Sequence, residues 1–188
     1  MSQGTQNYFR TLYEVVKAVN SSLDSQTVLQ KVAEKVSWAL GVKACTIRML
    51  TSDKKYLVAS ASHGLSPGYM RKGSVEVAKS GIDQEALKGK PVQMADATSD
   101  NRFQYPEAAK QEGLTSVAVV PLRVDEETTI GILRVYSREQ REFSTEEIEF
   151  LEAMADLCAL AIQNAKLHES LKSEYELLSA FEYRLFED

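Results

Sequence analysis

Two arginines stand where apolar residues belong. Arg48 lies in the run Thr46-Ile-Arg-Met-Leu50 and Arg134 in the run Gly131-Ile-Leu-Arg-Val-Tyr136. Both runs have the composition of central β-strands. A guanidinium stays charged, and burying one without a partner is costly, so something anionic is expected to face each of them. A carboxylate or phosphate would meet that need, since the planar guanidinium fork matches either group. Tyr136 lies two positions beyond Arg134 and would share its face of a strand. Two other arrangements answer the same need: an internal ion pair with Asp96 or Glu112, or exposure of one sheet face to water.

Little else in the chain has the residue types for covalent chemistry. There is no HExxH, GxxxxGK[ST] or GxSxG pattern and no Ser-His-Asp order, and the only histidines are His63 and His168. His63 precedes Gly64 at the end of a strand-like run, the place of a rim residue. His168 falls on a late helix and is expected at a surface or seam. Cys45 and Cys158 have no Cys or His neighbour at metal-ligand spacing and are expected to pack as small buried hydrophobes. The chain is therefore not expected to be an enzyme or to hold a metal.

Composition narrows the class further. With 188 residues, 44% hydrophobic and 26% charged, the chain suits one well-filled domain with helical extensions. No apolar run approaches the roughly 20 residues of a membrane span. Residues 1–16 carry no basic segment followed by an apolar core, so a cytoplasmic location is expected and no membrane partner. A formal net charge of −5 without a Lys/Arg stripe argues against nucleic acid.

The elements that must position the arginines are read from periodicity. Phe9, Leu12, Val16 and Val19 form an apolar stripe on a first helix. Asp24 caps a second, in which Leu29, Val32, Val36 and Leu40 share a face until Gly41 stops it. Residues 43–50 and 56–62 should pair as a hairpin. The stretch 64–113 is irregular, with a turn of helix opened by Ser66-Pro67, another over 82–88 closed by Gly89, and a short strand over 91–95. Connections this long are functional or disordered, and its caps and apolar residues favour the wall of a pocket. Pro106 opens a helix that Gly113 closes, and residues 116–123 and 129–137 follow as strands joined by the acidic turn Asp125-Glu126-Glu127. Ser144 and Glu147 form a capping box, with Phe143 and Ile148 at the staple positions of a long helix. Along it Ile148, Leu151, Ala155, Cys158, Ile162 and Ala165 make one seam, and Leu171, Tyr175, Leu178 and Leu185 continue it in a shifted phase.

Helices do not alternate with strands, which excludes a doubly wound parallel sheet and leaves an α+β fold built on an antiparallel sheet. The order of Ser62-His-Gly-Leu-Ser66, the strand ending at Asp96, Tyr105-Pro106-Glu107, Glu112-Gly-Leu-Thr-Ser116, Val120-Pro-Leu122, Ile130-Gly-Ile-Leu133 and Ala161-Ile-Gln-Asn-Ala165 resembles the GAF domain. The resemblance implies a PAS/profilin-like central antiparallel sheet of about six strands. Terminal helices would lie on one face, with short helices and loops over a pocket on the other. It implies a division into an N-terminal dimerisation helix over 1–22, the GAF domain over 23–167 and a helical extension over 168–188. It also makes the first and last strands neighbours, so Arg48 and Arg134 would point into one cavity, with Tyr136, His63, Tyr69, Asp96, Phe103 and Tyr105 as its remaining candidate ligand-binding residues. The aromatic residues Tyr69, Phe103 and Tyr105 would line or lid that cavity, or plug a small satellite core.

Some GAF proteins attach a bilin through adjacent Cys and His, and others reduce free methionine sulfoxide with cysteines placed before the late strands. Both arrangements are absent here. Asn101-Arg-Phe103 touches the cyclic-nucleotide signature only superficially. The function that the resemblance implies is a bacterial, cytoplasmic signalling domain, stand-alone or part of a sensor protein. It would bind a small, anionic molecule of unknown identity and transmit that event through helix packing in a homodimer to a downstream kinase or regulator. The alternative is a constitutive dimerisation scaffold without a ligand.

Overall fold

The structure, a computed structural model, describes residues 3–185 of the chain. The expected terminal segments include residues 1–2 and 186–188, which lie outside the described residues, as does the side chain of Leu185. Helices α1 (Gln3–Ser21) and α2 (Ser25–Leu40) precede the hairpin β1 (Ala44–Leu50) and β2 (Tyr56–His63). The middle of the chain then supplies α3 (Pro67–Met70), β3 (Val75–Glu76), a 3-10 turn at Val77–Lys79, α4 (Gly81–Ala86), β4 (Val92–Met94) and α5 (Pro106–Glu112). Strands β5 (Ser116–Arg123) and β6 (Thr129–Ser137) lead into the long helix α6 (Thr145–Leu185).

The local grammar expected from the sequence is in place. Asp24 accepts a hydrogen bond from the Gln26 amide at 3.0 Å, and Gly41 closes α2 in the left-handed conformation at φ 61°. The capping box of α6 is reciprocal: the Glu147 amide donates to Ser144 Oγ at 3.3 Å, and the Ser144 amide donates to Glu147 Oε2 at 2.8 Å.

The six strands form one antiparallel sheet in the order β3-β2-β1-β6-β5-β4, so β1 and β6 are its centre. Strand alternation divides the molecule into two cores. On one face Cys45, Ile47, Ala118, Val120, Leu133 and Val135 pack under α1, α2 and α6. On the other, Ala44, Val117, Val119, Ile132 and Tyr136 pack under the segment that includes α3, α4 and α5. The α+β class, the six-stranded sheet and the two-sided layering agree with the expectation.

One stripe is corrected. On α1 the residues facing the core are Thr11, Val15 and Val19, with Tyr8 stacked on Phe150 at 4.6 Å between ring centroids. Phe9 is 62% exposed and Val16 39%. Helix α1 carries apolar residues on two faces, and spacing alone cannot say which of them meets the sheet. Helix α2 follows its expected face, with Leu29, Val32, Val36 and Leu40 all buried.

The alignment that brings the arginines together depends on close approach of β1 and β6. Gly131 pairs with Met49, and a Cβ added at Gly131 would collide with the carbonyl oxygen of Arg48. Gly131→Ala is therefore expected to lower stability by about 1–3 kcal/mol, read by urea denaturation. An unchanged midpoint would show that the two strands have room to spare.

Candidate functional site

In the β1/β6 ladder Thr46 pairs with Arg134 and Arg48 with Ile132. Directly paired residues point to the same face, so Arg48 and Arg134 are diagonal neighbours, roughly 7–8 Å apart along the ladder. Both project into the second core, away from the long helices. Arg48 is 0% and Arg134 2% exposed. Arg48 sits at a register shift between β1 and β2, and its Nη1 donates to the carbonyl of Leu57 at 3.2 Å. Its Nε and Nη2 have no protein partner. Those two N–H groups form the edge that engages a carboxylate side-on.

Arg134 is held differently. Its Nη2 pairs with Asp83 Oδ1 on α4, and its Nη1 lies 3.4 Å from the hydroxyl of Tyr136. Burial works against the charge on Arg134, but Asp83, together with Tyr136 and Tyr69, more than offsets it and pushes the guanidinium further toward its protonated form. The ion-pair partner expected in Asp96 or Glu112 is thus Asp83. Asp96 instead accepts from the amide and hydroxyl of Thr98 and from Ser99, ordering its own loop. Glu112 receives the Ser66 amide at 2.8 Å and Lys43 Nζ at 3.3 Å, which ties the start of α3 to the end of α5.

That tie positions the residues facing the arginines. Ser66 Oγ caps α3 through the Tyr69 amide at 3.1 Å. Tyr69, buried on α3, meets Tyr136 edge-on with ring centroids 6.2 Å apart. Just after α3 the chain places Lys72 Nζ 3.3 Å from the centroid of Tyr69, 4.7 Å from Tyr105 and 6.0 Å from Phe103. Arg134 lies over the same Phe103 ring at 5.4 Å. The rings of Tyr69, Phe103 and Tyr105 therefore form one wall shared by Arg134 and Lys72.

Burial, then the charges of Arg134 and Arg48, pull the Lys72 ammonium down to about 6, against weaker support from Asp83 and Glu112. The three aromatic rings favour the charged form and act against that shift. Burial also pushes the Tyr69 hydroxyl up, so it remains a neutral donor.

Among the described residues, every buried side-chain polar atom without a hydrogen-bond partner belongs to Thr46, Arg48, Tyr69, Lys72, Ser80, Asp83 or Arg134. Such atoms are rare in folded proteins, and each one calls for an explanation. Those of Arg48, Tyr69, Lys72, Asp83 and Arg134 fall at one site. Asp83 is the only carboxylate among the described residues that pairs with any of the three basic side chains.

Of the residues expected at the site, Arg48, Tyr69, Phe103, Tyr105, Arg134 and Tyr136 are brought together. Asp96 contributes to its own loop. His63 pairs with Cys45, whose side chain lies in the core under the helices, so His63 is directed to the opposite face from Arg48. Sequence reasoning missed Lys72 and Asp83. Asp83 had a readable signal, an acid beside Ile82 and three residues before Ala86 on the buried side of a short helix. Lys72 had none.

A family model described as a GAF domain matches residues 22–163. The chain belongs to the GAF domain family. The formate hydrogenlyase transcriptional activator of Escherichia coli K12 is 22% identical over 170 residues, which are 87% of this chain and 24% of that protein. The chain thus spans about a quarter of the length of that relative. Among solved structures, the GAF domain of a phosphoenolpyruvate-protein phosphotransferase from Coxiella burnetii superposes with a TM-score of 0.77 at 22% identity, covering 90% of this chain and 99% of that one. The free methionine-R-sulfoxide reductase of Neisseria meningitidis, solved with its substrate, gives 0.73 at 18% identity, covering 89% and 95%. At these identities the likeness concerns the fold.

The two arginines should respond oppositely to the loss of charge. Arg48→Met removes a buried cation that has one hydrogen bond, so stability in buffers free of carboxylate and phosphate is expected to stay level or rise. Asp83→Ala leaves Arg134 buried without its anion and is expected to cost about 3–5 kcal/mol. Equal losses in the two variants, measured by urea denaturation, would show that Arg48 is already satisfied.

Proposed function

We propose that this GAF domain is a sensor that binds a small anion between Arg48, Arg134, Lys72 and the aromatic wall, and passes the event on through its helices in a homodimer. The unpartnered buried N–H groups of Arg48, Arg134 and Lys72, gathered among the described residues at one aromatic wall, carry this reading. An anion there would supply the acceptors that Arg48 and Lys72 lack, and binding that uses buried polar groups is selective because those groups stay unpaired without it. A ligandless scaffold would gain stability by replacing Arg48 with an apolar residue. We therefore favour the sensor over the scaffold.

An enzyme of the sulfoxide-reducing kind is disfavoured by where the thiols lie. Cys45 and Cys158 are both free and buried in the core under the helices, and burial pushes both thiols up, away from the reactive thiolate. The Escherichia coli relative is a transcriptional activator. A regulatory role there agrees with signal transmission here to a kinase or other regulator, and with a bacterial, cytoplasmic setting.

The route outward is α6. Its 41 residues would run about 60 Å, and from Lys166 to Leu178 every residue is exposed. Along the helix the exposed Leu160 and Leu167 repeat at seven residues, as do Leu171 and Leu178, the spacing of a helix pair. On α1 the exposed Phe9, Tyr13 and Val16 continue a three-four spacing. Apolar surface of this extent on long helices marks an interface. In this reading residues 1–22 are a dimerisation helix and 168–188 a helical extension, flanking the sensory domain over 23–167.

Two experiments test this. A thermal-shift panel of small carboxylates and inorganic phosphate is expected to raise the melting temperature of the wild type and to leave Arg48→Ala and Arg134→Ala unmoved. A wild type that no anion stabilises would refute the sensor. In light scattering after size exclusion, two copies of the 21.0 kDa chain are expected to travel together, and Leu171→Glu with Leu178→Glu to release monomers. A monomeric wild type would refute transmission through a helix pair.

A further inference from the structure

The anion site is not neutral toward the kind of anion it can hold. Its permanent charges are Arg48 on β1, Arg134 on β6 and Asp83 on α4. Asp83 already neutralises Arg134 by direct pairing. One uncompensated charge remains, on Arg48, and it is presented through the Nε and Nη2 edge. That edge donates to two oxygens of one planar group. A single negative charge balances it, and a second would be placed beside Asp83 in a medium where like charges repel strongly.

The core around that edge is apolar. Leu57, Val75, Phe103 and Ile132 are buried in the same core as Tyr69 and Tyr136. An inorganic phosphate has oxygens on every side, and in an apolar core those turned away from Arg48 would be buried without donors. A carboxylate has one polar end, and its carbon skeleton suits an apolar surrounding.

Lys72 makes the second half of the match. Its Nζ is buried, unpartnered and caged by Tyr69, Phe103 and Tyr105. The ionisable groups facing it are Arg48, Arg134 and Tyr136 from the central strands, Tyr69 from α3, Asp83 from α4, Tyr105 just before α5 and Glu112 at its end. Glu112 is already engaged by Ser66 and Lys43, and Asp83 by Arg134. With both carboxylates occupied and two guanidiniums near, burial and charge favour the unprotonated amine in the ligand-free protein. An anion on Arg48 would change that balance by adding a negative charge inside the same cage.

We propose that the ligand is a small singly charged carboxylate with an apolar body, gripped side-on by the Nε and Nη2 edge of Arg48, and that Lys72 takes up a proton from solvent as it binds. This rests on the anion-sensor reading and narrows it to one ligand class and one regulatory input. The binding step is protein plus carboxylate plus a fraction of one proton giving the complex, with the proton on Lys72 Nζ and no covalent bond made or broken.

The sign of the pH dependence follows. Above the range where the free lysine titrates, near 6, the complex holds more protons than the free protein, so affinity falls as pH rises. The limit is about tenfold per pH unit for one proton taken up. A sensor so built responds to the carboxylate more strongly as its surroundings acidify.

Calorimetric titration of the full chain with acetate, butyrate and inorganic phosphate, in buffers of differing ionisation enthalpy near neutral pH, tests the proposal. Expected are binding of a carboxylate with net proton uptake, loss of binding in Arg48→Met, and carboxylate binding without proton uptake in Lys72→Met. Proton uptake that persists in Lys72→Met, or its absence in the wild type, overturns the role of Lys72. Binding of phosphate but of neither carboxylate overturns the ligand class and leaves the anion sensor standing. Binding of none of the three overturns both. Should Lys72→Met fail to fold, the wild type decides alone: a dissociation constant for carboxylate that does not rise between pH 6 and 8 contradicts the proposal.

Discussion

A positive charge buried in the middle of a β-sheet is the constraint around which this molecule is arranged. Strands β1 and β6 are the two central strands, where apolar residues are the default, and each carries an arginine toward the same side. A desolvated guanidinium must be paired or it destabilises the fold. One is paired, through Asp83, which fixes α4 against the sheet. The other is not, and polar atoms of the nearby Tyr69 and Lys72 share its condition. Folding energy given up at one place and not recovered by internal contacts is characteristic of a site whose partner comes from outside.

The two faces of the sheet divide the labour. The face under α1, α2 and α6 is continuous hydrocarbon, with both cysteines inside it and no buried charge among its core residues. The other face is enclosed by short elements, several of them one or two turns long, joined by side-chain ties such as Glu112 to Ser66 and Lys43. Short elements with few apolar contacts open more readily than long packed helices. A ligand exchanging through that side would leave the helical core intact, while β1 and β6, shared by both faces, connect the site to α6.

Much of this is legible in the chain itself. The Asp24 cap, the Gly41 stop, the Ser144-Glu147 box and the strand runs around Arg48 and Arg134 are local signals, and local signals are what a sequence carries. The pairing of the arginine strands comes from family resemblance, because strand order is a long-range property that no local pattern encodes. The failures have the same origin. Phe9 and Val16 have the spacing of core residues, but α1 is apolar on two faces and only its neighbours decide which face is buried. Asp96 and Glu112 suit the ion pair by residue type, but each finds donors within hydrogen-bond reach elsewhere. His63 falls on the other face because strand alternation, counted from Cys45, directs it under the helices. Lys72 follows a four-residue helix and becomes buried only because Tyr69, Phe103 and Tyr105 close over it.

If the unpartnered edge of Arg48 holds an anion, a crystal structure of the protein grown with butyrate, in conditions free of other small anions, shows it directly. A planar carboxylate is expected against Arg48 Nε and Nη2, with its alkyl tail toward Phe103 and Ile132 and the Arg134 to Asp83 pair unchanged. An Arg48 side chain turned to solvent or closed onto a protein acceptor, with no carboxylate in that space, would contradict it.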